Sequence, residues 1–290
     1  MTFPLQRELP TRFHIGTQRA GSSYFFNLLK EHPDIILTPE QEVSFYTQTY
    51  EDGLDRYLQY FPDEEGVKID TSPKYFMQGK TAAPRIQETV REFTPKFLLI
   101  LRNPIDYVRS HYQFHRRTGY FDSHPEKYPD LPDGLISFLK RYPGYLERGY
   151  YSKILRRHWF SHFSRNQFKI VIFEEFIDDT QRITKEILRF FQLPPKTLKT
   201  RFKSRNATLR HPILYDLRNL LVRFPQLKQR ITENPLFNLV YKHVLTSKSD
   251  TKLSEEARTW LSKQFEDDVR ELKRIMKTRL SQWQDFGDIV

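Results

Sequence analysis

Two glycines five residues apart, with a cation between them, are the first chemically suggestive pattern in the chain. The stretch "FHIGTQRAGSSYFFNLL" covers residues 13–29. It runs from an apolar segment through Gly16, Arg19 and Gly21 into an apolar helix pattern. Backbone N–H groups of such a loop, together with a helix dipole, make an anion site. Ser22 and Ser23 can add hydroxyl donors. The spacing follows the phosphate-cradling pattern G-x-x-x-x-G-K-[ST], but Ser22 stands at the lysine position and Arg19 lies inside the loop. An ordinary tight turn between strand and helix would use the same glycines. A second cation, Arg102, closes the apolar run "KFLLILR" where a magnesium-organising acid would stand in a nucleoside triphosphatase. Glu174 and Glu175 follow a third apolar run and keep a magnesium role open there. His111 and His115 have the i, i+4 spacing of zinc ligands, without a third ligand or a glutamate in the expected pattern.

The elements that would position these residues are legible in outline. The runs at 12–16, 96–102 and 168–173 read as buried parallel strands. Each leads into a helix pattern. Asn103 is a good N-cap and Pro104 suits a first helical position. Strands alternating with helices predict an α/β fold with a parallel sheet. The stretches "ILYDLRNLLVRF" and "LSEEARTWLSKQFEDDVRELKRIMKTRL" read as amphipathic helices with no strand between them, the second starting at Ser254. Residues 119–145, rich in Pro, Gly and Tyr, read as a long loop that borders a site. No repeat or low-complexity linker divides residues 1–290, and a single domain is the simplest reading.

Composition narrows the classes. The chain has 290 residues, 38% of them hydrophobic and 15% aromatic, enough for a large core. Its formal net charge of +11 points to an anionic partner, although solvated lysines alone also produce such a charge. With no cysteine, disulfides, thiol nucleophiles and Cys-based zinc sites are excluded. No zinc-finger spacing or RNP aromatic pattern suggests nucleic acid as the partner. The first residues lack a signal-peptide core and no apolar stretch reaches the ~18 residues of a membrane span. The expectation is a soluble, cytoplasmic protein.

Several motifs together carry a family resemblance. "IGTQRAGSSYFFNLLKEHPDI" resembles the 5′-phosphosulfate loop of sulfotransferases that use 3′-phosphoadenosine 5′-phosphosulfate (PAPS), and "LLILRNPIDYVRSHY" resembles their 3′-phosphate motif. "PEQEVSFY" and "DTSPKYF" are similar to the K-E-x-H-F-F and E-K-[ST]-x-x-Y-F segments of the heparan sulfate branch. "ERGYYSKILRRHW", the segment 168–194 and the closing segment 253–283 follow in the family's order. The resemblance implies a three-layer α/β/α fold with a central parallel sheet, P-loop NTPase-like, with a helical C-terminal part. It implies PAPS as donor and no metal. Arg19, Ala20, Gly21, Ser22, Ser23 and Tyr24 would hold the phosphosulfate, and Arg102 and Ser110 the 3′-phosphate. Arg210, in "NATLRHP", is similar to a basic loop that closes over the nucleotide. Glu42 occupies the catalytic glutamate position, where a carboxylate suits general-base work; its alternative is an ordinary acid in the Glu-rich "PEQE".

A phosphosulfate needs no lysine reaching toward a triphosphate, which accounts for the altered loop. Many relatives place lysine where this chain has Arg19; arginine cannot give up its proton and acts by charge alone. Gln41, Ser44 and Thr71 stand where the resemblance expects lysine, histidine and lysine, and Asp70 replaces a glutamate. These departures argue against a heparan-type acceptor. A carbohydrate, a lipid headgroup and a small phenol stay open as acceptors, with a glycan favoured, and oxygen favoured over nitrogen. Tyr75, Phe76 and Tyr151 are either cleft-lining or core aromatics. The rival readings are a P-loop kinase using Glu174 or Glu175 for magnesium, and a non-enzymatic basic module for acidic glycans.

Overall fold

A computed structural model describes residues 9–39, 41–199, 253–277 and 280–289. Five parallel strands form one sheet: β1 (Arg12–Gly16), β2 (Ile35–Ile36), β3 (Val67–Thr71), β4 (Lys96–Leu101) and β5 (Phe168–Ile172), in the order β2-β3-β1-β4-β5. Among the described residues the helices are α1 (Ser22–Leu29), α2 (Leu54–Leu58), α3 (Gly79–Thr89), α4 (Pro104–Arg117), α5 (Leu135–Arg141), α6 (Tyr151–Ile154), α7 (Phe173–Asp178), α8 (Thr180–Phe190) and α9 (Glu255–Met276). Helices lie on both sides of the sheet, a three-layer α/β/α arrangement. Among the described residues no helix is long and apolar enough to cross a membrane.

β1 lies between β3 and β4, so the chain passes to one side of β1 first and then crosses to the other. That reversal opens a crevice at the carboxyl ends of β1 and β4, where open parallel sheets bind ligands. Burial explains why β1 and β4 read so clearly. Phe13, Ile15 and Phe97 to Leu101 are wholly buried, and each such side chain contributes about 1.5–3 kcal/mol on leaving water. Phe25, Leu28 and Leu29 of α1 pack in the same core as Ile183, Ile187 and Leu188 of α8. Asp179 caps α8, accepting from the Arg182 amide.

The structure departs from the sequence reading in three places. β2 and β3 carry no long apolar run: β2 has two residues, and β3 includes Lys68, Asp70 and Thr71. Pairing with β1 makes β3 a strand where its own pattern does not. Arg102 and Phe173 fall just beyond β4 and β5 rather than closing them. The segment 119–145 is not wholly loop, because Leu135–Arg141 forms α5. The expected helix at 213–224 lies outside the described residues.

The described residues group into two compact units. One takes those within Met1–Tyr107, Leu146–Phe202 and Thr259–Val290; the other takes those within Val108–Tyr145 and Lys203–Arg258. The first unit contains the whole sheet. In the second, Phe121 packs tilted on Phe138 with ring centroids 4.8 Å apart, and Tyr112 packs on Phe138 at 4.9 Å. The Tyr145 hydroxyl lies 3.1 Å from His111 Nδ1 and 3.2 Å from His115 Nδ1. The zinc-like spacing therefore serves a shared hydroxyl in a buried aromatic cluster.

Candidate active site

The loop between β1 and α1 is shaped by close packing. A side chain at Gly16 would put its Cβ 2.6 Å from Phe76 Cβ. Gly21 has φ 77 and would place a Cβ 2.8 Å from the Phe173 ring. Both positions therefore require glycine. Thr17 fastens the start of the loop to β4, its amide and its hydroxyl both reaching the Ile100 carbonyl, at 2.8 and 3.0 Å. The helix begins at Ser22, so the amides of its first turn are not consumed inside it and face the loop. Ser22 is buried and Ser23 exposed. Ala20 is buried against the core, and the Tyr24 hydroxyl lies 3.4 Å from Thr180 Oγ1. Arg19 takes φ 65, a left-handed conformation that costs a non-glycine residue about 1–3 kcal/mol.

Both flanks of the loop meet a candidate functional side chain. Gln18 Nε2 lies 3.4 Å from Glu42 Oε2. Next in sequence, the Arg19 carbonyl receives Arg102 Nη1 at 3.4 Å. Arg102 lies over the Phe173 ring, 5.6 Å from its centroid, and its Nε is buried with no partner among the described residues. Asn103 behaves as the sequence predicts: its Oδ1 accepts from the Ile105 amide at 3.0 Å and caps α4. The Asn103 amide donates to Glu174 Oε1 at 3.1 Å, its side-chain amide donates to Asp285 Oδ2 at 2.8 Å, and Trp283 Nε1 donates to Glu174 Oε2 at 3.1 Å.

Glu42 is half-buried at the end of β3, its amide bound to the Thr71 carbonyl at 3.1 Å. Its φ of 71 and the φ of 55 at Ser44 are both left-handed. Lys74 Nζ lies 3.2 Å from Glu42 Oε2. Sequence reasoning missed Lys74, which sits in "DTSPKYF" three residues beyond the position where the resemblance expects a lysine. Asp70, the other acid nearby, is wholly buried and accepts from three hydroxyls. Burial pushes its carboxyl above the ordinary range. A sealed acid of this kind has no access to an acceptor. Tyr75, Phe76 and Tyr151 are core aromatics, wholly buried.

The kinase arrangement finds little support in these side chains. Both oxygens of Glu174 are taken by the Asn103 amide and the Trp283 indole, and burial raises its carboxyl. Among the described residues no three His, Asp or Glu side chains cluster as metal ligands do. Among the described residues the site instead has cations, amides and the accessible carboxylate of Glu42. An unsatisfied buried guanidinium nitrogen beside a helix N-terminus fits an anionic ligand. Ser110 lies in the second unit and Arg210 outside the described residues, so their parts in nucleotide binding rest on the resemblance alone.

Comparison with known proteins gives the same direction. A family model described as "Sulfotransferase domain" matches residues 12–284. Heparan sulfate glucosamine 3-O-sulfotransferase 3B1 of Homo sapiens is 26% identical over 183 residues, 60% of this chain and 43% of that protein. Bifunctional heparan sulfate N-deacetylase/N-sulfotransferase 1 of Xenopus laevis is 30% identical over 183 residues, 56% of this chain and 20% of that protein. The matched regions span less than half the length of these curated relatives. The crystal structure of a sulfotransferase from Alicyclobacillus acidocaldarius has the same fold, with TM-score 0.62 at 19% identity over 95% of this chain and 99% of that one.

Proposed function

This chain belongs to the sulfotransferase domain family, and from that membership we propose that it transfers a sulfuryl group from PAPS to a hydroxyl of a carbohydrate or glycoconjugate. An amine acceptor is the less favoured variant. The observation that carries this reading is the doubly flanked loop: Gln18 meets the candidate base Glu42, and Arg19 meets the candidate phosphate ligand Arg102. The candidate base and the candidate nucleotide anchor are thus both tied to one turn of chain.

When bound, PAPS supplies the sulfuryl group and a phosphate leaving group that is a stable anion. Around it, the first-turn amides of α1 with Ser22 and Ser23 hold the phosphosulfate. The Arg19 side chain balances the charge that grows on the bridging oxygen, an electrostatic role requiring no proton transfer. Arg102 takes the 3′-phosphate by its guanidinium fork. Glu42 acts as general base. Its Oε2 already receives Lys74 and Gln18, which leaves Oε1 for the acceptor's proton. The reaction as written needs no metal. On this reading residues 1–290 form one sulfotransferase domain.

The test is calorimetric. Adenosine 3′,5′-bisphosphate should bind without magnesium and more tightly than ADP. Tighter binding of ATP with magnesium would overturn the reading and favour a kinase. Sulfuryl transfer from radiolabelled PAPS to a panel of saccharides then tests the acceptor class.

A further inference from the structure

The turn that carries Glu42 is pinned to the end of β3 at three places. The Glu42 amide donates to the Thr71 carbonyl at 3.1 Å. The Ser44 amide donates to Ser72 Oγ at 3.0 Å, and the Tyr46 amide to the Tyr75 hydroxyl at 3.3 Å. Two of the three acceptors are hydroxyls, and a hydroxyl accepts along its lone pairs only when its own proton points elsewhere.

Asp70 decides where those protons point. Ser72 Oγ donates to Asp70 Oδ1 at 2.6 Å, and the Tyr57 and Tyr75 hydroxyls donate to Oδ2 at 2.6 and 3.0 Å. An ionised carboxylate only accepts, so it commits all three protons. The lone pairs of Ser72 and Tyr75 are then left for the Ser44 and Tyr46 amides. Tyr57, held by the same carboxylate, stacks on Phe45 with ring centroids 4.2 Å apart. Between these ties Glu42 and Ser44 keep their left-handed backbones. Strain of about 1–3 kcal/mol per residue persists only where surrounding contacts over-determine it.

We propose that Asp70 is a positioning residue for Glu42, acting through Ser72 and Tyr75 to hold the strained 42–46 turn against the end of β3. The proposal rests on the reading of Glu42 as the base. It gives a reason for a wholly buried acid whose partners hold the Glu42 turn: Asp70 orients two hydroxyls that do the holding. Asparagine at this position would present an N–H₂ donor toward hydroxyl protons, reverse their orientation and release the turn.

The experiment compares Asp70→Asn, Ser72→Ala and Tyr75→Phe with the parent. Readouts are steady-state sulfuryl transfer from PAPS, affinity for adenosine 3′,5′-bisphosphate, and hydrogen exchange of the 42–47 amides. Turnover of Asp70→Asn should fall on the order of 10²-fold, the cost of about an ångström of misplacement. The KM for PAPS and the bisphosphate affinity should stay at parent values. Exchange at Ser44 and Tyr46 should accelerate while amides of β1 and β4 keep their protection. If Asp70→Asn fails to fold, Ser72→Ala carries the test, since it deletes one hydroxyl and keeps the carboxylate. Parent-like turnover, or unchanged exchange at Ser44, in Ser72→Ala overturns the proposal. So does an acid limb of the pH–rate profile that disappears in Asp70→Asn but survives in Glu42→Gln, for then Asp70 is itself the base. Full activity in Glu42→Gln alone removes the base reading, and the exchange data still decide whether Asp70 holds the turn.

Discussion

Lys74 Nζ lies 3.2 Å from Glu42 Oε2, with the two side chains 39% and 25% exposed. A pair this open to water adds little to stability, about 0–1 kcal/mol. Its effect is geometric, fixing one carboxylate oxygen and leaving the other. Lys74→Ala should therefore shift the thermal midpoint very little and lower turnover about tenfold or more through loss of orientation. Unaltered turnover would show that Gln18 and the backbone suffice to place the carboxylate.

Glu42→Gln keeps the shape of the side chain and removes the proton acceptor. Turnover should drop by about 10²–10⁴-fold, the usual contribution of a general base. Affinity for adenosine 3′,5′-bisphosphate, measured by calorimetry, should be nearly unchanged.

Arg19→Ala should cost on the order of 10²–10³-fold in turnover, the scale of losing one preorganised charge stabiliser. Arg19→Lys should retain substantial activity, because the role needs a positive charge rather than a fork. Parent-like turnover in Arg19→Ala would remove the electrostatic role assigned to this side chain.

Arg102→Lys keeps the charge but loses the planar fork and its unsatisfied Nε. Binding of adenosine 3′,5′-bisphosphate should weaken about tenfold or more while ADP binding changes little, so the preference between the two narrows. Competition calorimetry without magnesium reads this directly. An equal loss for both nucleotides would place Arg102 on the 5′ side.

His14, buried on β1 with its ring edge-on to Phe25 at 5.0 Å, gives a pH prediction. No side chain among the described residues hydrogen-bonds either ring nitrogen. Burial pushes its pKa down from 6.5 to about 3, with the Gly16 backbone opposing. Between these values the unfolded chain takes up a proton that the folded chain refuses. Stability must then fall as pH drops from about 6.5 towards 3, and be indifferent to this group above 6.5. Asp70, Glu174 and Asp268, raised by burial, pull the other way and are common to parent and variant. The urea midpoint of His14→Gln, compared with the parent across that window, should lose this acid-side slope.

Much of the scaffold was legible because burial writes itself into sequence. β1, β4 and β5 are apolar runs, the two loop glycines answer close contacts, and Asn103–Pro104 is a helix start in both sequence and structure. β3 was not legible, since it mixes Lys68, Asp70 and Thr71 and becomes a strand only by pairing with β1. Without β3 the meeting of Glu42 with Lys74 cannot be foreseen, because the two are joined through the Glu42 amide and the Thr71 carbonyl. The left-handed backbones at Arg19, Glu42 and Ser44 were equally silent. None is glycine or asparagine, and only the fold imposes them. The resemblance supplied Glu42 where residue chemistry alone left it an ordinary acid.

The bracing of Asn103 by Asp285, and of Glu174 by Trp283, ties the segment next to Arg102 to residues far along the chain. Such a tie is a thermodynamic linkage. If docking of the 283–285 turn favours the arrangement of Arg102 that receives a phosphate, then a nucleotide must favour the docked turn by the same factor. Asp285→Ala should weaken nucleotide binding, and saturating nucleotide should slow exchange of the 283–286 amides. The two measurements report one coupling free energy, read from opposite ends.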